Sequence, residues 1–255
     1  MNVRFQRLNT VPRGRVPTDP ALPPDELRRL DERSGERILA VDAENGTVWG
    51  MISLTPDRDE GGRFFQLAAL DVLPAYRGRG IDAALMEEGE RFIRGRKVTR
   101  LKFGTSPLRT DHAELYIKGF GTRYRWREGT RTPENKPWPH VSCECDLDDP
   151  LARPLDLGEE EVISRSVVHW EGLHPLPRRS IVYSGPLAVL LPDLNGEALA
   201  AAGGRDPSLL SAMYEVFHAL YMHGYGFAWF DRLPPDLAPA GSPCWYYVMS
   251  RVLAL

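Results

Sequence analysis

The run Arg77-Gly78-Arg79-Gly80, with Ile81 and Asp82 after it, is the stretch of this sequence best equipped for chemistry. Two glycines let a backbone turn tightly, with no Cβ to obstruct a ligand. Two arginines bring planar, permanently charged donors that match phosphate oxygens. A helix beginning here would add unpaired N–H groups and the positive end of its dipole. These features together select an anion, and a phosphate above all.

Two familiar phosphate loops do not account for the run. A Walker loop requires GxxxxGK[ST], which occurs nowhere in the chain. The dinucleotide fingerprint GxGxxG is met only as Gly78-Arg79-Gly80-Ile81-Asp82-Ala83, with alanine in its last place. The Pro74-Ala75-Tyr76-Arg77 ahead of it does not suit that fingerprint.

The elements that must position the run are legible on both sides. Leu67, Ala68, Ala69, Leu70 and Val72 form an apolar stretch of strand length, closed by Pro74. Ile81, Ala84, Leu85 and Phe92 then recur near helical spacing and give one buried stripe. Leu70 to Met86 therefore reads as strand end, turn and helix.

In this form the stretch resembles the acetyl-CoA motif of the GNAT superfamily of N-acetyltransferases. There a strand ending V-x-P-x-x-R leads into [RQ]-x-x-G-x-[GA] and a helix. The matching residues here are Val72, Pro74, Arg77, Gly80 and Asp82. The resemblance implies acetyl-CoA as co-substrate, with the pyrophosphate held at Arg77, Gly78, Arg79, Gly80, Ile81 and Asp82. It also implies that the strand end at Leu70 and Val72 pairs with the pantetheine arm. Asp82 departs from the pattern, where Gly or Ala is usual. A carboxylate suits a helix start but repels a pyrophosphate, so the side chain is expected to turn aside.

Ala113-Glu114-Leu115-Tyr116-Ile117-Lys118-Gly119-Phe120 is similar to a second signature of the same superfamily, A-x-x-L-Y-x-x-x-G-F. The resemblance implies that Tyr116 protonates the departing CoA thiolate, since a phenol has a higher pKa than a thiol. The alternative is a tyrosine that merely packs. Gly119 follows Tyr116 one position early, which on a helix rotates the tyrosine by about 100° relative to the turn. The asparagine of the superfamily's pattern in this region has no counterpart, since Arg109 and Thr110 stand near its place. Asp71, at the strand end beside the loop, is the candidate general base; the alternative is an exposed carboxylate with no role.

The order of elements fits the same fold. Strands are expected at Val3–Leu8, Arg37–Asp42, Thr47–Leu54 and Arg63–Val72, with a helix at Asp25–Ser34, a hairpin at Ala43–Gly46 and a polar turn at Asp57–Gly62. A helix from Asp82 to about Arg94 follows, with Gly95 as its C-cap, then a strand at Thr99–Gly104. The basic residues Arg94, Arg96 and Lys97 either cap that helix or meet the 3′-phosphate of CoA. A helix at Thr110–Lys118 and strands at Arg123–Arg127 and Val141–Leu147 complete the set. The fold expected is α/β (α+β): a GNAT-like mixed, splayed sheet flanked by helices over residues 1–150.

Residues 151–255 carry no second Arg-x-x-Gly loop. They do contain Leu220-Tyr221-Met222-His223-Gly224-Tyr225-Gly226, which parallels Leu115-Tyr116-Ile117-Lys118-Gly119-Phe120-Gly121. An internal repeat is the reading this supports, against chance likeness in a helix-to-strand junction. Strands are expected at Pro186–Asn195, Phe227–Asp231 and Trp245–Leu253, and a helix at Pro207–His223. Leu157–Ser184 is too short for the missing strands and helices. The second domain is thus expected to be a smaller, truncated and degenerate GNAT-like copy without a cofactor site.

Composition narrows the partners. The chain has 255 residues, 42% apolar and 26% charged, with a net charge of −3, which gives no reason to expect nucleic acid. Its three cysteines do not make a disulfide framework. Cys143 and Cys145 are expected as buried free thiols in preference to a metal pair, so no metal is expected. Neither a signal peptide nor an apolar run of membrane length occurs, which points to the cytoplasm and away from membranes. The expected reaction is transfer of an acetyl group to a primary amine on a small-molecule or peptide acceptor. The rivals are a non-catalytic GNAT-fold binding or scaffold protein, and an enzyme moving a longer acyl group or using another acceptor.

Overall fold

The computed structural model of the chain describes residues 2–7, 35–129, 139–151, 159–171, 174–177, 181, 183–192, 207–234 and 244–251. The helix expected at Asp25–Ser34 lies outside them. The chain divides into two compact units, Met1–Phe103 with Asp146–Asp148, and Gly104–Cys145 with Asp149–Leu255.

In the first unit, β1 (Val3–Arg7), β2 (Glu36–Asp42), β3 (Val48–Asp59) and β4 (Gly62–Val72) run antiparallel in sequence order. Helix α1 (Ile81–Gly95) then crosses back to β5 (Arg100–Thr105), which is parallel to β4. The turn after β2 is tied by Asp42, whose Oδ1 accepts from Glu44 N at 2.8 Å. β3 is longer than the expected strand, and the turn expected at Asp57–Gly62 shrinks to Glu60 and Gly61. Pro56 lies inside β3 opposite Phe65 of β4, beyond Leu54, where the pairing with β2 stops among the described residues.

α1 packs across β2, β3 and β4. Its buried side is Ile81, Leu85, Met86, Gly89, Phe92 and Ile93, a helical stripe. A Cβ on Gly89 would stand 2.8 Å from Ile52 Cδ1, so glycine here sets how closely helix and sheet approach. Phe92 meets Phe65 edge to face, with ring centroids 5.6 Å apart. Each such buried side chain contributes about 1.5–3 kcal/mol relative to exposure.

The helix ends one residue later than expected. Gly95 is still helical, and the left-handed residue is Lys97, at φ 58°. Val98 N donates to Ile93 O at 3.1 Å and Lys97 N to Arg94 O at 2.9 Å, the pairing of a Schellman cap. Arg94 is taken up by Glu90, Asp148 and Leu147 O, and Arg96 by Glu36. Both arginines are thus engaged by acceptors of the chain itself.

β4 and β5 pair only at Phe65↔Leu101 and Gln66↔Lys102 among the described residues. Beyond Gln66, β4 continues to Val72 without a described pairing to β5. This is the mixed, splayed sheet flanked by a helix that the sequence led us to expect.

The second unit takes in the segment after β5. Helix α2 (Thr110–Ala113) passes directly into a π turn at Glu114–Gly119. β6 (Arg123–Trp126) and β7 (Val141–Asp146) form an antiparallel pair. Cys143 and Cys145 carry unbridged thiols buried on one face of β7, and burial pushes the Cys143 thiol up. Helix α3 (Glu159–Ser164) and the hairpin β8 (Val168–Glu171) and β9 (His174–Pro177) follow.

β10 (Leu187–Pro192), helix α4 (Pro207–Met222), β11 (Tyr225–Arg232) and β12 (Cys244–Arg251) complete the chain. They form a second, smaller sheet in the order β10-β12-β11. Phe217, Phe227 and Phe230 pack their rings around the buried Tyr247. Among the described residues no helix is long and apolar enough to cross a membrane. No group of three or more His, Cys, Asp or Glu among them could hold a metal ion.

Candidate active site

The anion loop grows out of the end of β4. Pro74–Tyr76 makes one 3₁₀ turn, which Arg77 leaves in an extended conformation. Gly78 and Gly80 then take φ 70° and 74°, the left-handed region that costs other residues most. A Cβ built on either would meet nothing within 4 Å. The glycines are therefore needed for their backbone angles, and the space over the loop is open.

Gly80 is the N-cap of α1, with no side chain to cap the helix. The first-turn N–H groups have no acceptor within the helix. Asp82 uses one of them, its Oδ1 accepting from Ala83 N at 3.0 Å. Asp82 thus stands inside the first turn, not at the cap. Two arginines flank the loop. Arg77 Nε donates to Val72 O at 3.1 Å, and the Arg79 guanidinium lies 5.4 Å from the centre of the Tyr76 ring. Tyr76 in turn stacks on Trp49 at 5.3 Å. The cradle fits a diphosphate: open space, backbone donors and two guanidinium groups at a helix start.

Leu70, Asp71 and Val72 lie on the last part of β4. Val72 is opposite Gly50 and points toward Leu85 of α1, with Leu70 on the same face by the strand's alternation. Asp71 is exposed and opposite Met51, on the face turned away from α1. The register of β4 against β3 shifts between Leu54↔Leu67 and Ser53↔Ala69, which leaves Ala68 as the extra residue of a bulge. So Leu70, Asp71, Val72 and Arg77 to Asp82 come together on one strand–turn–helix run of the first unit.

Tyr116 belongs to the second unit. It is 3% exposed and sits inside the π turn, with its carbonyl accepting from Thr122 N at 2.9 Å. The ring of His112 lies 5.2 Å away, and His112 Nδ1 is 2.7 Å from Thr105 Oγ1. Burial first, and then the Arg109 charge, pushes the His112 imidazole down to about 4, with Asp111 opposing. His112 is therefore neutral near pH 7. Arg109 clasps Asp111 through Nε and Nη2 at 2.8 and 2.7 Å.

Two features escape a reading by motif. One is the Thr105–His112 pair, which joins a strand end to a helix seven residues on and matches no short pattern. The other is Asp59, which binds Arg100 and Lys102 across the hairpin tip. The two cations stand two apart on one strand, so they share a face, but nothing local names their partner.

Residues 6–121 match the family model described as the acetyltransferase (GNAT) family. No curated protein matches the chain. Among solved structures, it is similar to the IAA acetyltransferase from Bacillus cereus ATCC 14579, at 18% identity over 57% of this chain and 100% of that one, with a TM-score of 0.42. A GNAT family acetyltransferase from Elizabethkingia anophelis with acetyl-CoA bound is similar at 20% identity over 57% and 99%, with a TM-score of 0.41. The NatC complex bound to Gag peptide and CoA is similar at 17% identity over 58% and 99%, with a TM-score of 0.43.

Proposed function

We propose that the protein moves an acetyl group from acetyl-CoA to a primary amine, starting from the match of residues 6–121 to the acetyltransferase (GNAT) family. The observation that carries the reading is the loop at Arg77–Gly80, where two left-handed glycines open the first turn of α1 to an anion. Arg77, Gly78, Arg79, Gly80, Ile81 and Asp82 would hold the pyrophosphate, with Leu70 and Val72 beside the pantetheine arm. Acetyl-CoA supplies an activated acetyl group as its thioester.

The chain's own part is positioning and charge. N–H groups of β4 past its bulge would polarise the thioester carbonyl. Holding amine and thioester together supplies much of the rate. A C–N bond forms, the C–S bond breaks and the thiolate takes a proton. We assign that proton to Tyr116, as the family resemblance implies; a π turn at this position accords with a functional site. Asp71 is the carboxylate proposed to take the proton from the amine.

The cofactor domain would be residues 1–150, with 151–255 a degenerate copy. Two observations favour that. β10, α4, β11 and β12 follow the strand–helix–strand–strand succession of β5, α2, β6 and β7. And Tyr221, the counterpart of Tyr116, is 44% exposed. The acceptor would be a small molecule or peptide, and the compartment the cytoplasm. A second reading, a non-catalytic domain that binds CoA, draws on Asp82, which occupies a helix amide and places a negative charge beside the loop. Thiol release from acetyl-CoA across a panel of primary amines separates the two. Amine-dependent release supports transfer, and CoA binding with no release from any amine supports the second reading.

A further inference from the structure

Where two parallel strands part, something must fix the angle at which they do so. Among the described residues β4 and β5 pair at Phe65↔Leu101 and Gln66↔Lys102. Beside this short zip the tip of the β3–β4 hairpin reaches across to β5. Asp59 Oδ1 accepts from Arg100 Nη1 at 3.0 Å and Oδ2 from Arg100 Nη2 at 3.2 Å, while Lys102 Nζ donates to Oδ2 as well. One carboxylate of β3 thus grips residues one and three of β5, straddling Leu101 in the paired segment.

The cluster differs from an ordinary surface ion pair. Arg100 is bidentate, two cations converge on one carboxylate, and the side chains of Asp59, Arg100 and Lys102 are 32, 19 and 26% exposed. Lys102 also lies 5.0 Å from the centre of the Phe64 ring. The hairpin tip is shaped to receive the guanidinium. A Cβ on Gly61 would stand 2.7 Å from Arg100 Nη1 and 3.0 Å from its Cζ. The Arg100 hydrogen bond, and then that of Lys102, holds the Asp59 carboxyl well below the usual carboxylate range, so the clamp is closed at neutral pH.

We propose that Asp59 is a positioning residue for acetyl-CoA: by clamping Arg100 and Lys102 it sets the apex of the wedge between β4 and β5, and so the width of the gap for the pantetheine arm. This rests on the acetyl-CoA reading of the preceding subsection. Asp59 bonds to Arg100 and Lys102 on β5, and not to the Arg77–Gly80 loop, among the described residues. Its loss should therefore act on the arm and spare the nucleotide end.

The test is calorimetric titration of the full chain with two probes. One is acetyl-CoA; the other is adenosine 3′-phosphate 5′-diphosphate, the nucleotide part of CoA without the arm, read by competition against acetyl-CoA. In Asp59→Asn the acetyl-CoA Kd should rise about tenfold while that of the nucleotide holds. Gly61→Ala keeps every charge but crowds the guanidinium, and should give the same split to a smaller extent. Equal weakening of both probes, or no change in either, in the folded variants would overturn the proposal. A wild-type chain that binds neither probe would instead overturn the acetyl-CoA reading, and the clamp's role with it.

Discussion

Arg77 Nε donates to the carbonyl oxygen of Val72 at 3.1 Å, tying the last residue of β4 to the first residue of the anion loop. The bond links the two residues proposed to meet the pantetheine arm and the pyrophosphate.

That bond depends on the guanidinium fork, not on charge alone. Arg77→Lys keeps the charge and loses the Nε donor. The acetyl-CoA Kd should rise by roughly fivefold with little change in melting temperature, because Arg77 is exposed. Calorimetry and a thermal melt of the same sample check both halves.

Gly80 sits at φ 74° with open space around it. Gly80→Ala meets no clash, so its cost is that of the backbone angle alone, about 1–2 kcal/mol of stability. Gly80→Asn should recover part of this, since asparagine tolerates the left-handed region. Chemical denaturation of the three proteins orders them.

Asp82 holds the Ala83 amide and adds negative charge where the anion is proposed to bind. Asp82→Ala should weaken the start of α1 by about 0.5 kcal/mol. It should tighten acetyl-CoA by roughly threefold. Opposite signs in denaturation and in calorimetry are the result to look for.

How much of this was legible beforehand follows from how local each signal is. The loop and its two flanking elements were readable because glycine, arginine and helical spacing all fall within twenty residues. β3 beyond Leu54 was not, because Pro56 reads as a break, whereas in the sheet it stands opposite Phe65 of β4. The end of α1 was misplaced for a similar reason. Glycine is the usual left-handed residue, yet Lys97 takes that angle here, with Arg94 and Arg96 drawn off to carboxylates. The π turn at Tyr116 left no mark in the pattern, since its residues read as an ordinary helix. Asp59 and its cations are 41 and 43 residues apart, beyond the reach of any spacing rule.

His112 supplies a pH signature. Its imidazole is pushed down to about 4 in the folded chain from its ordinary value of 6.5. Between those values the unfolded chain binds the extra proton, so stability falls as pH drops from 6.5 toward 4 and this contribution levels off below. The slope from this one group is at most about 1.4 kcal/mol per pH unit. His112→Asn should flatten the stability profile in that window and leave it unchanged above pH 7. Denaturant midpoints measured across pH 4 to 8 show it.

Tyr247 donates its buried hydroxyl to Pro107 O at 2.9 Å, holding the turn that leads into α2. Tyr247→Phe removes the donor and leaves that carbonyl without it, at a cost of about 1–2 kcal/mol. Hydrogen exchange should rise in the peptide spanning Ser106 to Tyr116.

The proposed acetyl transfer depends on the anion loop. Its most direct test is calorimetric titration of acetyl-CoA into CoA-free protein and into the double variant Arg77→Ala, Gly80→Glu. Saturable binding to the wild type that is lost in the folded double variant is the result expected. A wild type that takes up no acetyl-CoA, or a double variant that binds it equally well, would contradict the assignment of this loop as the cofactor site.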